Sequence, residues 1–249
     1  MFKLIAIGDV HGQWDELWRA LRAALAADDG LQPTPQLIAG RFQVVLSGDL
    51  VHYKDALAYA LAAGVGRYDC QNPDHLRRAA EAQILELYRF RRYAESARGN
   101  VSVILGNHDE TALEHGYSLS SRGGLRHDEF DEARGGLALP EDLAAWLRAF
   151  PREKVYHGVH VAHAGPLPAM QRYDDFFYHD DEAKTWWRKK PEYLSYAGHR
   201  FGVYGHTVMP GGVYLDEAHR FAMIDALGDR QFLEMILSAE RLDYRVTRF

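Results

Sequence analysis

Cysteine is almost missing from this chain of 249 residues, since Cys70 stands alone. An internal disulfide and a thiolate-based metal site are both excluded, and a reducing compartment is expected. No stretch approaches the roughly 20 apolar residues that span a bilayer. The amino terminus enters an apolar run and a polar motif at once, unlike a signal peptide. A cytoplasmic location with no membrane partner is therefore expected. Positive charge is not in excess either: the formal net charge is −6, which gives no general attraction to nucleic acid. Internal repeats and low-complexity segments are absent. The remainder, 47% hydrophobic and 26% charged, is ordinary for a single globular domain, here residues 1–249.

Five apolar runs organise that domain. Val44-Val45-Leu46 runs into Ser47-Gly48-Asp49-Leu50-Val51-His52. Lys3 to Ile7 runs into Gly8-Asp9-Val10-His11-Gly12, and Val101 to Leu105 into Gly106-Asn107-His108-Asp109. Val159 to Ala162 runs into His163-Ala164-Gly165, and Phe201 to Tyr204 into Gly205-His206-Thr207. Short apolar runs that stop at glycine read as buried strands. Each delivers Asp, Asn or His from its carboxyl end, where open α/β sheets place their ligand sites.

Helical spacing predicts helices over 13–25, Asp55 to Ala63, Asp74 to Ala97 and Pro140 to Phe150. Phe221 to Asp225 and Gln231 to Leu237 read as two further strands. Thr111 to Leu139 has no clear period, and such a length is read either as a lid or as a floppy insertion. The aromatic-rich insertion over 173–196 is read either as the core of a small cap or as a platform that stacks a nucleobase.

Asp9, His11, Asp49, Asn107, His163 and His206 are all oxygen or nitrogen donors. Together they suffice for two divalent ions with Asp49 shared between them. Such a pair clamps a phosphoryl group and acidifies a bridging water. Mixed imidazole and carboxylate donors suit manganese, iron or zinc. His108, next to Asn107, is free to protonate a leaving oxygen as general acid. His157 and His160 are read as structural. His75, His115, His127, His179, His199 and His219 have no motif support and are read as surface residues.

These five blocks, in order and spacing from Phe2 to Ile224, resemble those of the calcineurin-like metallophosphoesterases. The resemblance is closest to the branch of the PPP-type serine/threonine phosphatases and symmetrical dinucleoside-tetraphosphate hydrolases. It implies an α/β fold, a four-layer α-β-β-α sandwich with mixed sheets. It implies Asp9, His11 and Asp49 on one metal, and Asp49, Asn107, His163 and His206 on the other. His108 would be the acid in an in-line attack by a metal-bridging hydroxide. Many relatives outside the branch carry a second histidine two residues after the Gly-His, where this chain has Val208, which supports the placement.

The chain departs from that pattern after Asp49. Phosphatases of that branch usually continue Asp-Arg-Gly, where the aspartate orients the catalytic histidine and the arginine binds phosphate; here the residues are His52-Tyr53-Lys54. His52 is expected to act in catalysis or phosphate binding, through His108 or a phosphate oxygen. Lys54 supplies positive charge without the bidentate fork of arginine, and Arg188 is the candidate for a second phosphate-binding arginine. The expected function is a phosphomonoesterase of protein-phosphatase type. Alternatives are a dinucleoside-polyphosphate or nucleotide hydrolase, a nucleic-acid phosphodiesterase, and a non-catalytic metal-binding module.

Overall fold

In the computed structural model of the chain, the described residues are 1–114, 119–120, 124–165, 187–188, 191–192, 194 and 198–249. They form two five-stranded mixed sheets. The first contains β1 (Phe2–Ile7), β2 (Phe42–Leu46), β3 (Val101–Val103), β9 (Gln231–Leu237) and β10 (Leu242–Arg248) in the order β10-β9-β1-β2-β3. The second contains β4 (Glu153–Tyr156), β5 (Val159–Ala162), β6 (Phe201–Val208), β7 (Tyr214–Asp216) and β8 (Phe221–Asp225) in the order β4-β5-β6-β8-β7. β1, β2 and β3 are mutually parallel, as are β5, β6 and β8, while the outer strands run antiparallel.

The parallel strands are mostly apolar because their central residues are buried on both faces. Along β1, Leu4 and Ala6 face the second sheet, whereas Ile5 and Ile7 face helices. Val45 and its neighbours Val44 and Leu46 divide in the same way. From the other side, Val159, Val161, Phe201, Val203, Ala222 and Ile224 complete the layer between the sheets. A one-residue slip would turn each of these strands inside out, so the register is fixed by the core.

Helices α1 (Trp14–Ala23), α4 (Pro73–Ser96) and α6 (Glu141–Arg148) cover the outer face of the first sheet. On α4 the stripe Leu76, Ala80, Ile84, Leu87 and Phe90 is buried as its spacing predicts. The outer face of the second sheet packs Tyr204 and Met223 against Leu194 and Trp187. Most of the aromatic insertion to which those two residues belong lies outside the described residues, as do His115 and His179. Among the described residues, no helix is long and apolar enough to cross a membrane.

Some expectations need correction. The first helix ends at Ala23, and Leu25 is 69% exposed in a left-handed conformation just past the cap. A short helix, α2 (Pro35–Ile38), capped by the Thr34 hydroxyl, follows it before β2. α3 (Ala56–Ala63) forms as expected. In the stretch without a period, α5 (Asn107–Glu114) covers the start, and His127, Asp128, Glu129 and Phe130 are interior.

Candidate metal centre

The carboxyl-terminal ends of β1, β2, β3, β5, β6 and β8, or the residues just after them, meet at one edge of the two sheets. Backbone bonds lace the first two together: His11 N donates to Asp49 O at 2.6 Å and Gly12 N to Leu50 O at 3.1 Å. Asp109 ties in the third, since its carboxylate accepts from Leu50 N at 2.8 Å and Gly106 N at 3.1 Å. Four residues of the cluster hold left-handed φ angles: His11 at 45°, Asp49 at 49°, His52 at 65° and His206 at 63°. Strain of this kind persists only where surrounding contacts over-determine it, and it gathers at functional sites. His206 lies where β6 slips register against β8, a bulge that aims its side chain inward. Gly106 and Gly205 have no room for a Cβ, because Asp49 packs on the first and Asp9 with Ser47 on the second.

All six proposed ligands converge. Asp49 Oδ2 lies 3.3 Å from His11 Nε2 and also 3.3 Å from His163 Nε2. Asn107 Oδ1 lies 2.9 Å from His163 Nε2 and 3.0 Å from His206 Nδ1. Metal–donor bonds of about 2.0–2.2 Å put neighbouring donors about 3.0–3.4 Å apart, which these separations match. The tautomers also fit a cation. His11 Nδ1 is 2.9 Å from His52 O and His163 Nδ1 is 2.8 Å from Ser47 O. A backbone carbonyl accepts only from Nδ1–H, so in the neutral ring it is Nε2 that offers its lone pair to a cation. Asp9 accepts from Ser47 Oγ at 2.6 Å and from His206 N at 2.7 Å, which fixes both of its oxygens.

The electrostatics of the protein without metal point the same way. Burial, then Asp225 and Asp49 nearby, push the Asp9 carboxyl up to about 8. Burial alone would lower His163, but Asp49 and Asp9 raise it to about 10. Burial also opposes the charge on Asp49, yet His163, His108 and His11 hold it well below the usual carboxylate range. Buried carboxylates crowded together, with imidazoles facing them, are relieved by a cation.

Two contributors escaped the sequence reading. Asp225, at the carboxyl end of β8, has a donor atom within 4.8 Å of those of Asp9 and His11. It follows an apolar strand like the other ligands but lacks their glycine. His127, expected at the surface, is 4% exposed and stacks on His52 at 5.0 Å. Nothing local in the sequence marks it.

The remaining candidates are placed as follows. His108 stands beside the cluster, its ring 4.6 Å from His11, and its backbone N–H donates to Asp49 Oδ1 at 2.9 Å. His52 Nδ1 is 3.0 Å from His108 Nδ1, so the contact with His108 is formed. Lys54 pairs with Asp225 at 2.6 Å. The Arg188 guanidinium lies 4.5 Å over the Trp187 ring, which packs against the outer face of the second sheet. His160 is structural as expected, held by the Tyr204 hydroxyl at 2.9 Å and by Glu153.

The calcineurin-like phosphoesterase family model matches residues 2–235 of this chain. Among solved structures, a cold-active protein-tyrosine phosphatase of the psychrophile Shewanella sp. is similar at 17% identity and TM-score 0.59, over 97% of this chain and 77% of that one. A protein serine/threonine phosphatase from Saccharomyces cerevisiae, with similarity to human phosphatase PP5, is similar at 13% identity and TM-score 0.53. That match covers 100% of this chain and 80% of the yeast one. No curated protein matches the sequence. With a family match over nearly its whole length and the donor cluster at the expected sheet edge, the chain belongs to the calcineurin-like phosphoesterases, which makes it a metal-dependent hydrolase of phosphoesters.

Proposed function

We propose that the chain is a two-metal phosphomonoesterase of protein-phosphatase type. The observation that carries this reading is the position of Asp49 Oδ2, at 3.3 Å from an imidazole nitrogen on either side. Asp9 and His11 complete one donor set, with Asp225 close by. Asn107, His163 and His206 complete the other. Manganese suits this mixture of oxygen and imidazole donors, with iron or zinc as substitutes. When bound, the ions supply Lewis acidity toward a phosphoryl oxygen and lower the pKa of a water held with them.

The chain's own groups do the rest. His108 gives its proton to the departing oxygen, and His52 holds the far nitrogen of that ring. Asp109 keeps the β2 and β3 loops together so that His108 and Asp49 stay in register. Lys54, on the wall of the adjoining cavity, sets a positive charge next to Asp225.

That cavity, of about 610 Å³, favours a peptide as the carrier of the phosphate. It lies beside His11 and Lys54 and is lined by Tyr53, Leu61 and Leu85 and by Asp15, Asp55 and Glu86. Leu61 is 75% and Leu85 70% exposed, so apolar side chains of a substrate find partners there. The additional phosphates of a dinucleoside polyphosphate would meet three carboxylates, and like charges repel. The test compares a phosphoserine peptide, a dinucleoside tetraphosphate and a cyclic nucleotide at saturating manganese. Preference for the peptide supports the reading, and preference for the tetraphosphate replaces it with the nucleotide alternative. Bound metal without turnover of any of the three points to the non-catalytic module.

A further inference from the structure

Behind His108 lies a polar network that none of the roles above uses. We propose that Glu129 is a positioning residue for His108, acting along two hydrogen-bonded arms that end on His127 and His52. The proposal rests on the reading of His108 as the general acid.

Glu129 is fully buried, and one of its oxygens, Oε1, is the common end of both arms. In the first arm the Tyr59 hydroxyl donates to that oxygen at 2.6 Å. With its only hydrogen committed, the Tyr59 oxygen accepts from Nδ1–H of His127 at 2.8 Å. The His127 ring is thereby fixed in tautomer and tilt. It stacks on His52 at 5.0 Å and 14°, and meets His108 edge to face at 5.0 Å and 70°. In the second arm Gln83 Nε2 donates to the same Glu129 oxygen at 2.7 Å. This leaves Gln83 Oε1 to accept the backbone N–H of His52 at 2.7 Å. The bond holds His52 in its left-handed conformation, at φ 65°.

The two arms close around one contact, His52 Nδ1 to His108 Nδ1 at 3.0 Å. When His108 carries protons on both nitrogens, its Nδ1–H donates to the His52 Nδ1 lone pair. The other nitrogen is then aimed at the leaving oxygen, to which its proton passes as the ester bond breaks. Slackening either arm lets the ring swing and misaligns that proton. The chemistry before proton transfer is left alone.

A misaligned acid has a signature that general damage lacks. Proton donation matters most for a leaving group of high pKa and little for one that departs readily as an anion. The experiment measures kcat for a phosphoserine peptide and for 2,4-dinitrophenyl phosphate with manganese, in wild type, Glu129→Met and Glu129→Gln. Glu129→Met is expected to lose about tenfold or more on the peptide and less than about twofold on the aryl ester. Glu129→Gln keeps an oxygen that accepts from both arms and is expected to recover most of the loss. If Glu129→Met does not fold, Tyr59→Phe, which removes a single oxygen, is expected to give the same imbalance between the esters. Equal losses on the two esters, or no loss on the peptide, overturn the proposal while leaving the phosphoesterase reading intact. A wild type that turns over neither ester overturns that reading and this proposal with it.

Discussion

Lys54 and Asp225, 171 residues apart in the chain, form an ion pair of 2.6 Å beside the buried Asp9. The sequence pattern suggested Lys54 as a partner for substrate phosphate. In the structure its charge is engaged by the Asp225 carboxylate. Lys54→Met strands the 2%-exposed Asp225 side chain next to Asp9. The expected cost is about 1–3 kcal/mol of folding stability, as for a buried polar group that loses its partner. Urea unfolding of chelated protein checks this. The deficit should shrink when manganese is added, because a cation can take over the neutralisation. An unchanged midpoint would contradict the assignment.

Proton linkage gives a second prediction. In the folded chain Asp9 is raised from 3.8 to about 8 and His163 from 6.5 to about 10. Between about pH 7.5 and 9 both are largely unprotonated when unfolded, yet the native state still holds protons on them. Stability therefore falls as pH rises through that window. His11, His108 and His127 are lowered in the native state, so above about pH 7.5 they are neutral in both states and add little slope. Calorimetry in EDTA should record a Tm that drops from about pH 7.5 to 9. Over the same range metal affinity should rise, since ions displace those protons. A Tm that climbs in EDTA would refute the assignment of these charges.

Ser47 supplies a third test. Its hydroxyl fixes Asp9 Oδ1 at 2.6 Å, and its backbone carbonyl orients His163. Ser47→Ala removes only the first of these bonds. Metal affinity is expected to fall about 10–100-fold, the usual effect of losing a hydrogen bond to a ligand. Calorimetric titration with manganese measures it, and an affinity within about twofold of wild type would mean that Asp9 is not a ligand.

Catalytic roles separate from metal binding in a fourth. His108→Asn should retain the metal content of the wild type and lose about 10²–10⁴-fold in kcat on a phosphoserine peptide. His52→Ala should lose less, about tenfold, with an altered pH profile. Unchanged kinetics across pH in His52→Ala would reduce the 3.0 Å contact with His108 to packing.

How much of this was legible in the sequence depended on whether a residue's neighbours in the chain revealed its setting. Val44 to Leu46 and Lys3 to Ile7 read as strands because sheet-on-sheet burial demands an unbroken apolar run, and their terminal loops then located the cluster. β10 has no clear signature in the sequence, although its residues 242–246 alternate between partly buried and exposed, because an edge strand carries charge on its open face. Asp225 sat at the end of a recognised strand and was passed over for want of an adjoining glycine. His127 was read as exposed because its burial depends on Tyr59, 68 residues away. Contacts of that separation leave no local periodicity.

Asp49 is expected to serve two cations at once. Anomalous diffraction from crystals grown in manganese tests this, with two peaks expected, each about 2.2 Å from an oxygen of Asp49. One would be joined by Asp9 and His11, the other by Asn107, His163 and His206. A single peak, or two of which neither touches Asp49, would contradict it.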